Sequence, residues 1–273
     1  METPPAAARA RAPLMVSPEG GPLISARDVG FTYPTGRRAL ERASVDVHAG
    51  ELVAILGANG SGKSTLLRCI AGMLKPSNGT VHVAGRDITH LTGRALANAR
   101  MALGMVFQHA NLVKRRSVLA NVMTGTLGHH RRLWTALGGL PACERENALA
   151  RLDDVGLREF AAQRAGTLSG GQAQRVSIAR ALAQRPLALL ADEPVASLDP
   201  EASEEVMRLL RRVAEQDGLG VLCVLHQPAL ARKYADRIVG LRDGWMHFDS
   251  APADVSEHDV TSLYPARPMA VAA

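Results

Sequence analysis

Leu52-Val53-Ala54-Ile55-Leu56-Gly57-Ala58-Asn59-Gly60-Ser61-Gly62-Lys63-Ser64 is the stretch that decides the fold. Its five apolar residues read as a short strand buried on both faces. The next eight match G-x-x-x-x-G-K-[ST], a loop whose backbone N–H groups cradle phosphate. Glycines at 57, 60 and 62 let those groups converge on an anion without obstruction by Cβ atoms. A helix beginning near Lys63 adds the positive end of its dipole. Strand, glycine loop and helix in that order imply an α/β protein with its ligand at the carboxyl ends of parallel strands.

Two further apolar runs, Leu187–Ala191 and Val221–Leu225, read as strands of the same sheet. Each leads into a polar cluster, Asp192-Glu193 in one case and His226 in the other. Alternation in Leu23–Tyr33, in Ser44–Val47 and around Val81–Val83 predicts an antiparallel layer near the N-terminus. Asp199 and Pro200 form a cap and first position for a helix whose inner stripe is Val206, Leu209, Leu210 and Val213. From Gln108 to Thr167 the strand signal disappears, and helices broken at Gly125, Gly128, Gly138-Gly139 and Pro141 are expected. That places an inserted helical subdomain at about 109–167 within a unit spanning 22–250. Residues 1–21, rich in Pro, Ala and Arg, are expected to be a disordered leader or an over-extended start. Residues 251–273 read as a Pro- and Ala-rich tail.

Composition narrows the function classes. The 273 residues are 47% apolar and 21% charged, an ordinary globular balance. Runs of five apolar residues fall far short of the roughly twenty that a membrane-spanning helix needs. Cys69, Cys143 and Cys223 lie far apart with no metal-ligand spacing, which fits a reducing compartment. The net charge of +6 is mostly scattered Arg, with only four Lys, so it marks no nucleic-acid footprint.

The chemistry follows from residue types at these positions. Backbone of Gly57, Ala58, Asn59, Gly60, Ser61 and Gly62 meets a triphosphate tail. Lys63 reaches its outer phosphates, Ser64 ligates Mg²⁺, and Thr65 assists at the inner phosphate. Asp192, at a strand end, suits holding Mg²⁺ directly or through water. Glu193 next to it is the expected general base for an attacking water. Gln108, after Phe107 at the end of a short Gly104–Phe107 strand, offers a carbonyl oxygen to Mg²⁺ and an amide to the water. Its place makes it a hinge into the insert. His226 is positioned to touch the outer phosphate and orient Glu193. Leu168-Ser169-Gly170-Gly171-Gln172 is a second anion-seeking segment, preceding a helix from Gln172 to Gln184. Two half-sites for one phosphate tail point to a head-to-tail pair of chains, each phosphate loop facing the other chain's Ser169.

Phosphate loop, L-S-G-G-Q element and acidic strand end in this order resemble the ATP-binding subunit of an ABC transporter, over about residues 22–250. The resemblance implies a P-loop ABC ATPase core with an antiparallel β layer and an inserted helical subdomain. It implies ATP and Mg²⁺ as ligands. Tyr33 looks like the aromatic that stacks on adenine in this family, with a core or edge-strand tyrosine as the alternative. Ser197-Leu198-Asp199 would lie at the dimer seam. DNA-repair relatives insert long coiled coils and translation factors carry two cassettes, and neither pattern is present. A lone cassette implies an importer subunit beneath a separate permease, peripheral on the cytoplasmic face of the cell membrane, served indirectly by a secreted solute-binding protein.

Within importers the chain is most similar to the phosphonate family, through Phe107-Gln108-His109-Ala110-Asn111-Leu112-Val113, Val118-Leu119-Ala120-Asn121-Val122, and Ala191 to Pro200. Leu225-His226-Gln227 and Arg237-Ile238-Val239-Gly240 continue that similarity. Ala173 and Pro228 depart from the family's usual pattern. Phosphite, phosphate or another oxyanion is the alternative cargo, and a nucleic-acid-linked ATPase is a distant one. The segment His109–Val122, with Leu112, Val113 and Leu119, is the expected docking surface for a permease helix.

Overall fold

A computed structural model describes residues 20–130 and 140–264. One twisted sheet organises them, in the strand order β5-β4-β1-β2-β10-β9-β3-β8-β7-β6. The N-terminal half is antiparallel: β1 (Ile24–Thr32), β2 (Arg38–Val47), β4 (Asn78–Val83) and the two-residue β5 (Arg86–Asp87). The other half is parallel through β9 (Arg237–Arg242), β3 (Leu52–Leu56), β8 (Gly220–Val224), β7 (Ala188–Asp192) and β6 (Leu103–Val106). The last strand, β10 (Trp245–Ser250), is antiparallel to β9 and joins the halves through Trp245 beside Arg42.

Burial on both faces explains the continuous apolar runs. Leu52, Ala54 and Leu56 belong to one hydrophobic cluster, and Val53 and Ile55 to the cluster on the opposite face. In β8, Val221 and Cys223 divide from Leu222 and Val224 in the same way. Period-two geometry sends successive side chains to opposite faces, so every residue of such a strand must be apolar. Helix α1 (Lys63–Ile70) covers one face through Leu66, Leu67 and Ile70. A short α2 (Gly93–Ala99) lies beyond β5.

The insert begins after β6. It contains α3 (Val118–Met123), a 3-10 turn at Thr124–His129, and α4 (Ala142–Asp154). Helix α5 (Gly170–Ala183) returns to the sheet, and Val118, Val122, Ala148, Leu152 and Val176 share one cluster with β3 and β7. Insert and core are therefore continuous through apolar packing. Gly125 does not end a helix because it is flexible. A Cβ there would lie 2.0 Å from the Arg180 carbonyl oxygen, so glycine is required by close approach to α5. Gly128 lies in the same 3-10 turn. Gly138-Gly139 falls outside the described residues, as do residues 1–19 of the expected leader.

Several boundaries differ from the sequence reading. Strand β7 runs one residue later than expected, so Asp192 is its last residue, and β8 ends one residue early, at Val224. The short strand before Gln108 is Leu103–Val106. Helix α5 starts at Gly170 because Ser169 caps it in a reciprocal box with Gln172, so both glycines are inside its first turn. Helix α6 (Pro200–Asp217) has Asp199 as its cap, with Val206, Leu209, Leu210 and Val213 buried. Pro228 opens α7 (Pro228–Tyr234) at the position where its missing N–H costs no helical bond. Order continues past residue 250, into α8 (Glu257–Ser262) capped by Ser256, with Val255, Val260 and Leu263 buried.

Replacing Gly125 by Ala is expected to force Thr124–His129 away from α5 and to cost about 1–3 kcal/mol. Thermal denaturation checks this, with a melting temperature several degrees below the parent as the expected result.

Candidate functional site

Parallel register brings the carboxyl ends of β3, β7 and β8 side by side, and the polar residues that follow them meet there. The loop after β3 is built around positive-φ glycines: φ is 84° at Gly60 and 109° at Gly62. A Cβ on Gly57 would lie 2.1 Å from the Leu241 carbonyl oxygen, and one on Gly62 would lie 2.4 Å from that of Ala39. Only glycine fits either place.

Lys63 is 4% exposed, and its ammonium donates to the Gly57 and Ala58 carbonyl oxygens at 2.8 Å each. Burial pushes its pKa below the ordinary lysine value, and the nearby carboxylates of Glu193 and Asp192 work in the opposite direction. Ser64 donates its hydroxyl to Asp192 Oδ1 at 2.8 Å. Ser61 Oγ is buried without a hydrogen-bond partner among the described residues. The first N–H groups of α1 have no acceptor within the helix. Orphaned hydroxyl, open N–H groups and a buried ammonium form a donor set suited to phosphate. The Ser64–Asp192 oxygen pair suits a hard divalent cation.

Glu193 has φ 52°, a left-handed conformation unusual for a residue with a side chain and worth about 1–3 kcal/mol of strain. This conformation follows directly on the last residue of β7, and the Glu193 side chain lines the phosphate-loop cleft. There its Oε1 lies 2.6 Å from Nε2 of His226, and both side chains are partly exposed. The cleft holds about 180 Å³ and is lined by Tyr33, Arg37, Asn59, Lys63, Ser64 and Glu193, among others. Tyr33 donates to or accepts from Thr65 Oγ1 at 3.1 Å and meets Phe31 edge-on at 4.9 Å. It stands at the cleft wall, not within a core.

Gln108, expected at this site, does not line the cleft, and the Ser169 segment, expected to face another chain, lies apart from it. Gln108 is exposed at the end of β6, beside β7, and makes no side-chain hydrogen bond among the described residues. Ser169 lies on the exposed start of α5. Its hydroxyl accepts from the Gln172 N–H at 3.2 Å, and Gln172 Oε1 accepts from the Ser169 N–H at 2.9 Å. Gly171 packs so tightly on α6 that a Cβ would come within 2.8 Å of that of Ala202.

Sequence reasoning missed Arg37, Gln174 and Arg180. Gln174 donates to the Phe107 carbonyl oxygen at 2.9 Å, directly before Gln108. Arg180 donates to the carbonyl oxygens of Ala110 at 2.8 Å and Asn111 at 2.9 Å. Helix α5, which carries Ser169 at its tip, thus also holds the segment after Gln108. The only sequence signal for these two is polarity on a helix otherwise rich in apolar and small residues. Leu112 and Leu119 pack inward on the main cluster, whereas Val113 is 53% exposed. Of the three expected docking residues, Val113 is exposed and Leu112 and Leu119 are half-buried.

The arrangement is that of a P-loop nucleotide-binding protein with a separate, exposed helix tip capped by Ser169. Residues 40–196 match the family model described as ABC transporter. A phosphonates import ATP-binding protein from Frankia casuarinae is 50% identical over 249 residues, 90% of this chain and 98% of its own. A phosphate-import ATP-binding protein from Mycolicibacterium smegmatis is 49% identical over 242 residues, 89% of this chain and 92% of its own. Among solved structures, an ATP-binding cassette captured as a dimer in a post-hydrolysis state with ADP and Pi is similar at TM-score 0.74 and 35% identity. It covers 84% of this chain and 98% of its own. The chain belongs to the ABC transporter family, and its activity is that of an ABC ATPase, ATP hydrolysis coupled to transport.

Lys63→Ala removes the buried ammonium and is expected to weaken ATP binding by about 1.5–3 kcal/mol, on the order of 10- to 150-fold. Titration with a fluorescent ATP analogue measures it, while circular dichroism checks that the fold is kept.

Proposed function

We propose that the chain energises import of a phosphonate through a separate permease, as a homodimer on the cytoplasmic face of the membrane. The observation that carries the ATPase part is the pair of contacts Ser64–Asp192 and His226–Glu193, one member of each lining the same cleft. Bound Mg²⁺ would neutralise charge developing on the outer phosphates, with Ser64 and Asp192 to hold it. Gln108 would join them from the end of β6. The loop from Gly57 to Gly62 supplies N–H donors to the phosphates, and Lys63 turns its ammonium from the loop carbonyls towards them. Thr65 steadies the inner phosphate, and Tyr33 covers adenine. Glu193 takes a proton from the attacking water, and His226 fixes the orientation of its carboxylate. Ser169, Gly170, Gly171 and Gln172 of a second chain close the site from the other side. That accounts for a capped helix tip left exposed and apart from its own chain's cleft.

The cargo reading is supported by the names of relatives at 43–50% identity, which are phosphonates import proteins. The relative named for phosphate import, at 49%, favours phosphate as a second reading. Among the described residues, no helix is long and apolar enough to cross a membrane. A separate permease and a secreted solute-binding protein would supply passage and selection.

For the permease helix, a groove of about 300 Å³ between sheet and insert is better placed than the segment at Leu112 and Leu119. It is lined by Ala71, Met73, Leu103, Met105, Gly125 and Arg180, among others. Met73 is 46% exposed, and Leu127, on the same turn as Gly125, is 42% exposed. Arg180 connects this groove to the segment after Gln108.

Two experiments test the reading. Glu193→Gln should retain ATP binding and lose turnover by about 10²–10⁴-fold, the range for a positioned general base. It should also dimerise with ATP and Mg²⁺ in light scattering, and Ser169→Arg should abolish those dimers. In cells carrying the matching permease and binding protein, labelled methylphosphonate should be taken up and unlabelled phosphate should compete poorly. Met73→Glu should stop that uptake and leave the ATPase of the isolated chain intact. Strong competition by phosphate would move the cargo to the second reading.

A further inference from the structure

The turn between β1 and β2 presents two side chains to the cleft, and only one of them has a role so far. Tyr33 donates its N–H to the Arg37 carbonyl oxygen at 2.9 Å, and Gly36 donates to the Tyr33 carbonyl oxygen at 2.9 Å. This closed turn fixes Tyr33 and Arg37 relative to each other across four peptide units. Both line the cleft together with Lys63 and Glu193.

Ion pairing separates Arg37 from its neighbours. Arg27 pairs with Asp46, Arg38 with Glu41 at 2.8 Å, and Arg42 with Asp28 at 3.2 Å. Arg37 has no carboxylate partner among the described residues. Its guanidinium makes one long hydrogen bond, 3.4 Å from Nη2 to the Gly60 carbonyl oxygen in the phosphate loop. A long bond to a neutral acceptor is weak, so it holds the side chain near the loop and is easily exchanged. A guanidinium remains charged at all working pH values and offers a planar fork that matches two phosphate oxygens.

We propose that Arg37 is a nucleotide-binding residue: it leaves the Gly60 carbonyl and clamps the polyphosphate chain from the side opposite Lys63. This deepens the ATPase reading and rests on it. Lys63 is buried and held by the Gly57 and Ala58 carbonyls. Arg37 approaches from solvent, beside the ring that covers adenine. The ligand class is therefore an adenine nucleotide with at least two phosphates. Arg37 serves to raise its affinity, not to take part in hydrolysis.

The test uses the full chain with Mg²⁺ and compares Arg37→Ala and Arg37→Lys with the parent. Affinities for ATP, ADP and adenosine are measured by competition against a fluorescent nucleotide, and melting temperature is measured without nucleotide. Arg37→Ala should weaken ATP and ADP by about tenfold each, a hydrogen bond to a charged group being worth that much. Adenosine affinity and the nucleotide-free melting temperature should stay at parent values. Arg37→Lys should recover part of the loss, because charge is kept without the fork. The saturated ATPase rate should change less than the affinity. Parent-like ATP and ADP affinity in Arg37→Ala would overturn the assignment, and so would an equal loss for adenosine, which would mean that the turn carrying Tyr33 had shifted. Failure of the parent chain itself to bind ATP would instead remove the ATPase reading.

Discussion

The hydrogen bond from Ser64 to Asp192 joins residues 128 positions apart in the chain, and the rest of the site depends on it. It exists because β3 and β7 flank β8 in parallel register, with their carboxyl ends level. Apolar packing on both faces holds that register, since a slip of one residue would turn each strand's side chains to the wrong cluster. Once the register is fixed, the loop after β3 and the acidic pair at the end of β7 have one meeting place. Lys63, Glu193 and His226 are then gathered around it without further long-range design.

Strain is concentrated at the same point. The left-handed backbone at Glu193 is unfavourable for a residue with a Cβ, and it is retained beside a 2.6 Å contact to His226. A residue so placed has little freedom to rotate away, which is useful for a carboxylate that must meet a water in one orientation. The second half of the machinery is rigid for a different reason. Helix α5 is capped at Ser169, wedged against α6 at Gly171, and tied by Gln174 and Arg180 to the segment after Gln108. Arg180 of the same helix also lines the groove between sheet and insert.

Much of this was legible in the chain, because it depends on local demands. A phosphate loop needs glycines at fixed places, a doubly buried strand needs an unbroken apolar run, and a capped helix shows Asp199 before Pro200. What stayed hidden depends on distant partners. Nothing in residue type separates Arg37 from Arg38, and only the closed turn against the distant phosphate loop puts Arg37 in the cleft. Gln174 and Arg180 reach carbonyl groups 67 to 70 positions away. Leu112 looked like a surface residue because a loop has no periodicity to reveal its inner side, and α3 is too short at six residues to show which side Leu119 faces. The helix Glu257–Ser262 is too short to show a stripe, and its Ser256–Asp259 capping box lay within what read as a tail.

The central claim is that one nucleotide is held between the phosphate loop of one chain and the Ser169 helix tip of another. A crystal structure of the chain with Mg²⁺ and a non-hydrolysable ATP analogue tests it most directly. The expected result is two chains related by a two-fold axis, each nucleotide touching Lys63 of one chain and Ser169 of the other, with Glu193 facing the outer phosphate. A nucleotide held by the phosphate loop of a single chain, with Ser169 in solvent and Glu193 turned away, would contradict it.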